Sequence, residues 1–194
     1  TGIMIPTILM DKEQKIPYES LSRHVTSMLQ KGGEKNEQEL DAWKFIRDLT
    51  LNECDLIYKE LNVTLKDRDV RGESEYKQDL PDVVADQKQG LAVESEGAVC
   101  VFPPGFKDKE GNPLPFIIQK SDGAYLYATT DLAALRYRVN ELKADKIIYV
   151  TDARQKMHFE MLFAVARMAG WVHENTELAH VTFGSVLGED GKPL

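Results

Sequence analysis

The chain has 194 residues, 42% hydrophobic and 29% charged, which is the composition of one globular domain or at most two small ones. Its 24 Lys and Arg against 32 Asp and Glu leave a net charge of −8, which excludes a nucleic-acid footprint built from this chain's own basic surface. With only Cys54 and Cys100, a disulfide framework and a Cys-x-x-Cys metal site are also excluded.

The sequence carries no signal for membrane insertion, export or metal binding. No apolar run approaches the roughly 20 residues of a membrane span. No basic region followed by an apolar stretch opens the chain, and the four histidines lack metal-ligand spacing. We therefore expect a cytoplasmic protein with no membrane partner and no metal ligands.

Residues 1–75 are expected to form a helical part of the chain. Between positions 40 and 61 the apolar residues recur every three or four positions, which predicts one long helix. Further apolar residues widen this stripe, so we expect the helix to pack against two neighbours or to be deeply buried.

Residues 76–123 change to short, β-rich segments. A helix is predicted from Leu80 to Gln89, followed by strands over 91–95, 98–102, 116–119 and 124–128. The dipeptides Glu96–Gly97 and Asp122–Gly123 are typical of tight turns. This pattern predicts an inserted helix and an antiparallel meander.

Residues 124–194 alternate between strand and helix. Strands are predicted over 125–128, 146–150 and 180–183, with helices over 131–142 and 155–168 between them. The apolar run over 147–150 is typical of a strand covered on both faces. The predicted fold class is therefore α/β: a partial, Rossmann-like parallel sheet formed by a second βαβαβ half, with an antiparallel β insertion and a helical N-terminal portion.

Ligands of open parallel sheets bind beyond the carboxyl ends of the strands, where three polar or glycine-rich segments are predicted to lie. The first contains Tyr127 and Asp131, the latter placed in the first turn of a helix that Thr129 or Thr130 would cap. A carboxylate there stays ionised, and if half-buried it is well matched by a planar guanidinium. Asp131 could equally do no more than support its own helix end.

The second segment contains Gln155 and His158, which are three residues apart and so share one helix face. Gln155 can donate and accept hydrogen bonds, while His158 could contact a nucleotide or be a half-buried structural histidine. The third segment begins at Gly184 and includes Gly188, Gly191 and Lys192. Its backbone could approach adenine or phosphate, or it could be an ordinary exposed turn.

Several of these segments resemble arginyl-tRNA synthetases, which are class I aminoacyl-tRNA synthetases. The run KSDGAYLYATTDLAALRYR at 120–138 is similar to the family's signature region, and DKIIYVTDARQKMHF at 145–159 to its next strand and helix. FGSVLGEDGKP at 183–193 resembles the approach to the family's ATP loop. DVRGESEY at 69–76 and LAVESEG at 91–97 match as well, so the resemblance covers roughly residues 40–194.

The resemblance implies roles for individual residues. Tyr127, Asp131 and Gln155 would bind the arginine side chain, and His158 and Gly184 would lie on the ATP side. The implied reaction is activation of arginine by ATP, with Mg²⁺, followed by transfer to the tRNA. We expect a monomeric enzyme that contacts tRNA mainly through parts outside this chain.

Two phosphate-binding motifs of the family, His-x-Gly-His and a Lys-Met-Ser-Lys-Ser-type loop, do not occur in the sequence. We therefore expect a truncated piece of the catalytic domain that is inactive by itself and carries no catalytic residue. The alternative is a stand-alone, non-catalytic paralogue of the synthetases that acts as a binding or interaction module.

Overall fold

The computed structural model of the chain describes residue 29, residues 37–184, residues 187–189 and residue 191. They belong to two compact units, residues 1–69 and residues 70–194. The division into residues 1–75, 76–123 and 124–194 stays a prediction, and most of residues 1–36 lie outside the described part of the chain.

The described portion of the first unit is built around one long helix, α1 (Glu37–Glu60), which confirms the predicted helix. A 3-10 turn follows at Asp67–Asp69. The expected deep burial of α1 is wrong, because none of its residues is buried and Phe45 and Ile46 are each 62% exposed. An apolar stripe fixes the helical period and the face that can be buried, but it does not supply the partner that buries it.

The second unit opens with a 3-10 segment at Glu73–Asp79 and the helix α2 (Leu80–Lys88). Three short strands follow in an antiparallel sheet of order β1-β2-β3: β1 (Ala92–Ser95), β2 (Ala98–Val101) and β3 (Phe116–Gln119). Glu96 and Gly97 both have positive φ, 51° and 79°, the geometry of the tight hairpin turn that their sequence predicts. The inserted helix and the antiparallel meander are thus confirmed.

The segment 124–128, however, does not form the predicted strand. It contributes only an isolated antiparallel bridge between Gln119 and Tyr125, and the next helix, α3, already begins at Tyr127. In the described part of the chain the parallel sheet therefore has two strands rather than three.

These two strands are β4 (Lys146–Asp152) and β5 (Glu177–Phe183), joined through a 3-10 turn (Ala153–Gln155) and the helix α4 (Lys156–Met168). Their parallel register runs from Lys146 beside Glu177 to Asp152 beside Phe183. The carboxyl ends of both strands consequently lie at one edge of the sheet, so the residues that follow them, Ala153 and Gly184, are close to that edge.

One face of the parallel sheet is packed and the other is open within the described residues. Ile147 and Tyr149 are buried, whereas Ile148 and Val150 are 51% and 61% exposed. The prediction that β4 is buried on both faces is therefore wrong for the described residues. Apolar side chains on the open face are nevertheless typical of a strand that is buried on both faces.

The helix α3 (Tyr127–Asn140) lies at the centre of the second unit. It packs against the 73–79 segment, α2, α4 and β3. The core includes side chains with no exposed surface, namely Val83, Val101, Ile118, Leu132, Leu135, Leu162 and Val165. Burying each of them stabilises the fold by roughly 1.5–3 kcal/mol relative to leaving it exposed. This core holds the start of α3 and the start of α4 in place.

Candidate functional site

The start of α3 places Tyr127 and Asp131 on one face of the helix, four residues apart. Leu126, just before the helix, has an extended backbone, so helical geometry begins at Tyr127 itself. The sequence predicted that Asp131 lies in the first turn of this helix. It is instead the fifth residue of α3 and lies in the second turn. The helix dipole acts mainly within the first turn, so it contributes less to Asp131 than expected.

Thr129 fixes this helix start to the neighbouring sheet. Its side chain has no exposed surface, its hydroxyl donates a hydrogen bond to the backbone carbonyl of Ile118 in β3, and it accepts one from the Leu126 N–H at 3.3 Å. The N-cap of α3 is Leu126 and Thr129 is the third residue of the helix, so the predicted N-cap role of Thr129 or Thr130 is wrong. Thr129 instead bonds the N-cap backbone from inside the first turn and ties it to β3.

His158 lies in the first turn of α4 and contacts Asp131 directly. Its Nε2 is 2.7 Å from Oδ2 of Asp131. Their side chains are 15% and 27% exposed, so the pair is largely removed from solvent and yet reachable. The resemblance assigned His158 to the ATP side, but the structure brings it into contact with the residues assigned to arginine.

Aromatic rings surround the imidazole of His158. Tyr127, Phe116 and Phe159 have ring centroids 4.9, 5.7 and 5.1 Å from it, and the Phe116 ring stacks on it with an interplanar angle of 26°. Phe116 belongs to β3, far from His158 in the chain, and the sequence offered no local signal for this contact.

Gln155 is exposed at the end of the 3-10 turn that precedes α4, three residues before His158. Asp152 caps this turn by accepting a hydrogen bond from the Arg154 backbone N–H at 2.8 Å, and it also pairs with the Arg154 guanidinium at 2.9 and 3.1 Å. This pair lowers the pKa of Asp152 and raises that of Arg154. Arg154 therefore has a carboxylate partner. Gln155 precedes α4, whereas the sequence predicted that the helix begins at Gln155, and no hydrogen bond among the described residues joins Gln155 to Asp131.

Gly184 is exposed and directly follows β5, at the edge where β4 also ends. Of the glycine-rich segment after it, Gly188 and Gly191 form a turn, with the Gly191 N–H donating to the Gly188 carbonyl at 2.9 Å. Lys192 lies outside the described residues. Gly184 thus occupies the predicted edge of the sheet, while its role stays a prediction.

Close to this edge, a side-chain contact joins the two parallel strands, and the sequence did not predict it. Thr151 Oγ1 lies 2.7 Å from Nε2 of His180, and the His180 ring is 4.6 Å from that of Phe159. Because the register pairs His180 with Tyr149, Thr151 reaches it diagonally across the strands. This contact extends the aromatic cluster around His158 to β5.

Within the described ranges, no three His, Cys, Asp or Glu side chains are grouped closely enough to hold a metal ion. Among the helices of the same ranges, none has the length and apolar character needed to cross a membrane.

The parallel strand–helix–strand unit, with polar side chains beyond its strand ends, is the arrangement of nucleotide-binding α/β proteins, and class I aminoacyl-tRNA synthetases are one such class. The family described as class I tRNA synthetases (R), catalytic domain, matches residues 8–194. The chain belongs to this family, the arginyl-tRNA synthetases.

Individual relatives agree with this assignment. An arginine–tRNA ligase of Psychromonas ingrahamii is 53% identical over 174 residues, and the match covers 89% of this chain and 29% of the relative. One from Cellvibrio japonicus is 56% identical over 158 residues, covering 81% of this chain and 27% of the relative. The chain therefore spans a little under three tenths of the length of these relatives.

Solved structures agree as well. The crystal structure of arginyl-tRNA synthetase from Plasmodium falciparum superposes with a TM-score of 0.73 at 32% identity, covering 88% of this chain and 29% of that one. A putative arginyl-tRNA synthetase from Campylobacter jejuni superposes with a TM-score of 0.59 at 18% identity, covering 94% of this chain and 40% of that one, and so shows likeness of fold only.

Proposed function

We propose that this chain is part of the catalytic domain of an arginine–tRNA ligase and that Tyr127, Asp131 and Gln155 bind the arginine side chain. The observation that carries the proposal is the shared face of Tyr127 and Asp131 at the start of α3, with Asp131 27% exposed. A carboxylate in that setting is shielded enough to interact strongly with a cation and open enough to receive one.

The guanidinium of arginine fits these groups. It is planar and always charged, and it can give two parallel N–H bonds to one carboxylate, which the ammonium of lysine cannot do. The exposed ring of Tyr127 offers a surface on which a guanidinium can stack, and Gln155 can accept a further N–H. A lysine bound in the same place would leave some of these acceptors unpaired, which is the basis of selectivity.

ATP would bind beyond the strand ends, near Gly184, and Mg²⁺ would enter with its phosphates as part of the substrate. In the reaction, the arginine carboxylate attacks the α-phosphate of ATP and displaces pyrophosphate to give arginyl-adenylate. A hydroxyl of the terminal ribose of the tRNA then takes the arginyl group and AMP leaves. The part played by the residues of this chain is to hold the arginine in position for in-line attack. We further propose that the full-length enzyme is monomeric and cytoplasmic, and that it contacts tRNA mainly outside this segment.

The test is arginine-dependent exchange of pyrophosphate into ATP by the full-length protein that carries this segment. Removing one partner of a shielded charge pair weakens binding substantially, so Asp131→Asn should raise the KM for arginine by roughly tenfold to a hundredfold. The matched control is Asp82→Asn, an exposed acid at the start of α2, which should leave the KM unchanged. Exchange that does not depend on arginine, or an unchanged KM in Asp131→Asn, would overturn the proposal.

A further inference from the structure

The contact between His158 and Asp131 points to a role that the family resemblance did not give to His158. We propose that His158 is a positioning residue for arginine selection, which holds the Asp131 carboxylate in the orientation that a guanidinium requires. This proposal rests on the proposed function. On this proposal His158 acts at the arginine side chain, whereas the family resemblance implies a role on the ATP side.

The hydrogen bond between His158 and Asp131 has a defined direction. An ionised carboxylate only accepts hydrogen bonds, so at 2.7 Å Nε2 of His158 carries the hydrogen and donates it to Oδ2 of Asp131. Among the described residues His158 is the one hydrogen-bond donor to Asp131, which leaves Oδ1 and the second lone pair of Oδ2 for a ligand. Those positions are what a guanidinium needs for two parallel hydrogen bonds.

Three aromatic rings confine the imidazole of His158. Phe116 stacks on one face, Phe159 meets it edge-on at 5.1 Å, and Tyr127 lies 4.9 Å away. Phe116 and Phe159 are themselves buried. A ring held by three others keeps Nε2 directed at Asp131, and an Nε2 committed to a carboxylate is not available to hydrogen-bond adenine.

The hydrogen bond from His158 restricts the Asp131 carboxylate before arginine binds. A short carboxylate side chain can rotate about its last bond, and a binding site loses affinity when its groups must be ordered as the ligand arrives. His158 orders Asp131 beforehand, from a different helix. Its loss should therefore weaken arginine binding and leave ATP binding unchanged.

The experiment uses two variants that separate the hydrogen bond from the ring. His158→Phe keeps an aromatic ring but removes the donor, whereas His158→Gln places an amide nitrogen at about the position of Nε2. In the pyrophosphate exchange assay of the full-length protein, His158→Phe should raise the KM for arginine at least about tenfold, the lower end of the effect of losing a hydrogen bond to a charged group. His158→Gln should stay within about threefold of the unaltered protein, and the KM for ATP should change in neither variant.

A third variant covers the case in which His158→Phe does not fold, as judged by its thermal unfolding. His158→Asn carries the same amide as His158→Gln but is one methylene shorter, so its nitrogen cannot reach Asp131. It should behave like His158→Phe. The control is His173→Phe, an exposed histidine in the turn before β5, which should leave both KM values unchanged.

A double substitution tests whether His158 acts through Asp131. The factor by which His158→Phe raises the KM for arginine should be clearly smaller in the Asp131→Asn protein than in the unaltered protein. The reason is that the carboxylate that His158 positions is already absent. Full additivity would contradict a positioning role.

The outcomes separate this inference from the proposed function. If Asp131→Asn raises the KM for arginine while His158→Phe and His158→Asn do not, the positioning role is overturned and the proposed function stands. A raised KM for ATP with an unchanged KM for arginine would return His158 to the ATP side. If Asp131→Asn has no effect on arginine, the proposed function fails first.

Discussion

Nε2 of His158 lies 2.7 Å from Oδ2 of Asp131, and this contact joins the first turn of α4 to the second turn of α3. The acid proposed to bind the guanidinium is thus supported from a helix other than its own. The geometry of the proposed arginine site consequently depends on how α3 and α4 pack together and on Thr129, which anchors the start of α3.

The packing of α3 can be tested with two leucines of that region. Leu132 has no exposed surface and lies next to Asp131, while Leu142, just beyond the helix end, is 60% exposed. Leu132→Ala should lower the free energy of unfolding by about 2–5 kcal/mol because it leaves a cavity, and Leu142→Ala by less than about 0.5 kcal/mol. Urea unfolding measures both, and equal losses would contradict the central place of α3 in the core.

The anchor at Thr129 gives a second prediction. Thr129→Val keeps the shape of the side chain but removes the hydroxyl that bonds Ile118 and Leu126. It should cost about 1–3 kcal/mol of unfolding free energy, because the Ile118 carbonyl and the Leu126 N–H are left without their partner. Thr129→Ser should recover most of the loss.

The neighbouring Thr130 is the control for this experiment. Its hydroxyl lies 3.5 Å from the Leu126 carbonyl, too far for a strong bond, so Thr130→Val should change the unfolding free energy by less than about 0.5 kcal/mol. If both valine variants behave alike, the hydroxyl of Thr129 is not what holds the start of α3.

Gly123 tests the turn that leads into the site. Its φ is +81°, where a Cβ is strained, and its N–H donates to the Lys120 carbonyl at 2.9 Å. Gly123→Ala should destabilise the protein by about 1–2 kcal/mol, as measured by urea unfolding. Gly72 has an ordinary φ of −81° and open space around it, so Gly72→Ala should be neutral or slightly stabilising.

Tyr149 gives a prediction about pH. Burial is the main cause that raises its pKa, to about 12, while the Arg138 guanidinium, which donates to its hydroxyl at 3.0 Å, acts in the opposite direction. Because the pKa of Tyr149 is higher in the folded than in the unfolded protein, its contribution to the free energy of unfolding is fully present when the pH is below about 10. That contribution is lost as the pH rises from about 10 toward 12.

The titration of Tyr149 can be isolated from that of the other tyrosines. Subtracting the near-ultraviolet phenolate absorbance of Tyr149→Phe from that of the unaltered protein leaves one phenol, and its midpoint should lie near pH 12. A midpoint near the ordinary value of about 10 would show that Tyr149 is not buried as described.

The residues around α3 show how far sequence reasoning reaches. The β-rich composition of residues 124–128 predicted a strand, but the helix starts at Tyr127. The hydroxyl of Thr129 bonds the Ile118 carbonyl in β3 and the Leu126 N–H, and so holds this helix start against the sheet. Local propensity could not reveal the bond to Ile118, since it is a tertiary contact 11 residues back in the chain. The turns and the three strands of the meander, which depend on local chemistry, were predicted correctly.

The same distinction applies to the site. That Asp131 and His158 each lie near the start of a helix could be predicted from the sequence. The contact of His158 with Asp131 and its stacking on Phe116 could not, because they depend on how α4 packs against α3 and β3. Likewise, the apolar residues of β4 do not show which face of the strand is buried.

The central claim, that Asp131 recognises a guanidinium, is tested most directly by calorimetric binding of arginine and of its neutral isostere citrulline. The measurement uses the full-length protein that carries this segment, with Asp131→Asn as the variant and Asp82→Asn as the control. We predict that the unaltered protein and Asp82→Asn bind arginine and discriminate against citrulline, and that Asp131→Asn loses at least about tenfold in arginine affinity together with most of the discrimination. Equal affinity of Asp131→Asn and the unaltered protein for arginine, or equal binding of arginine and citrulline by the unaltered protein, would contradict the claim.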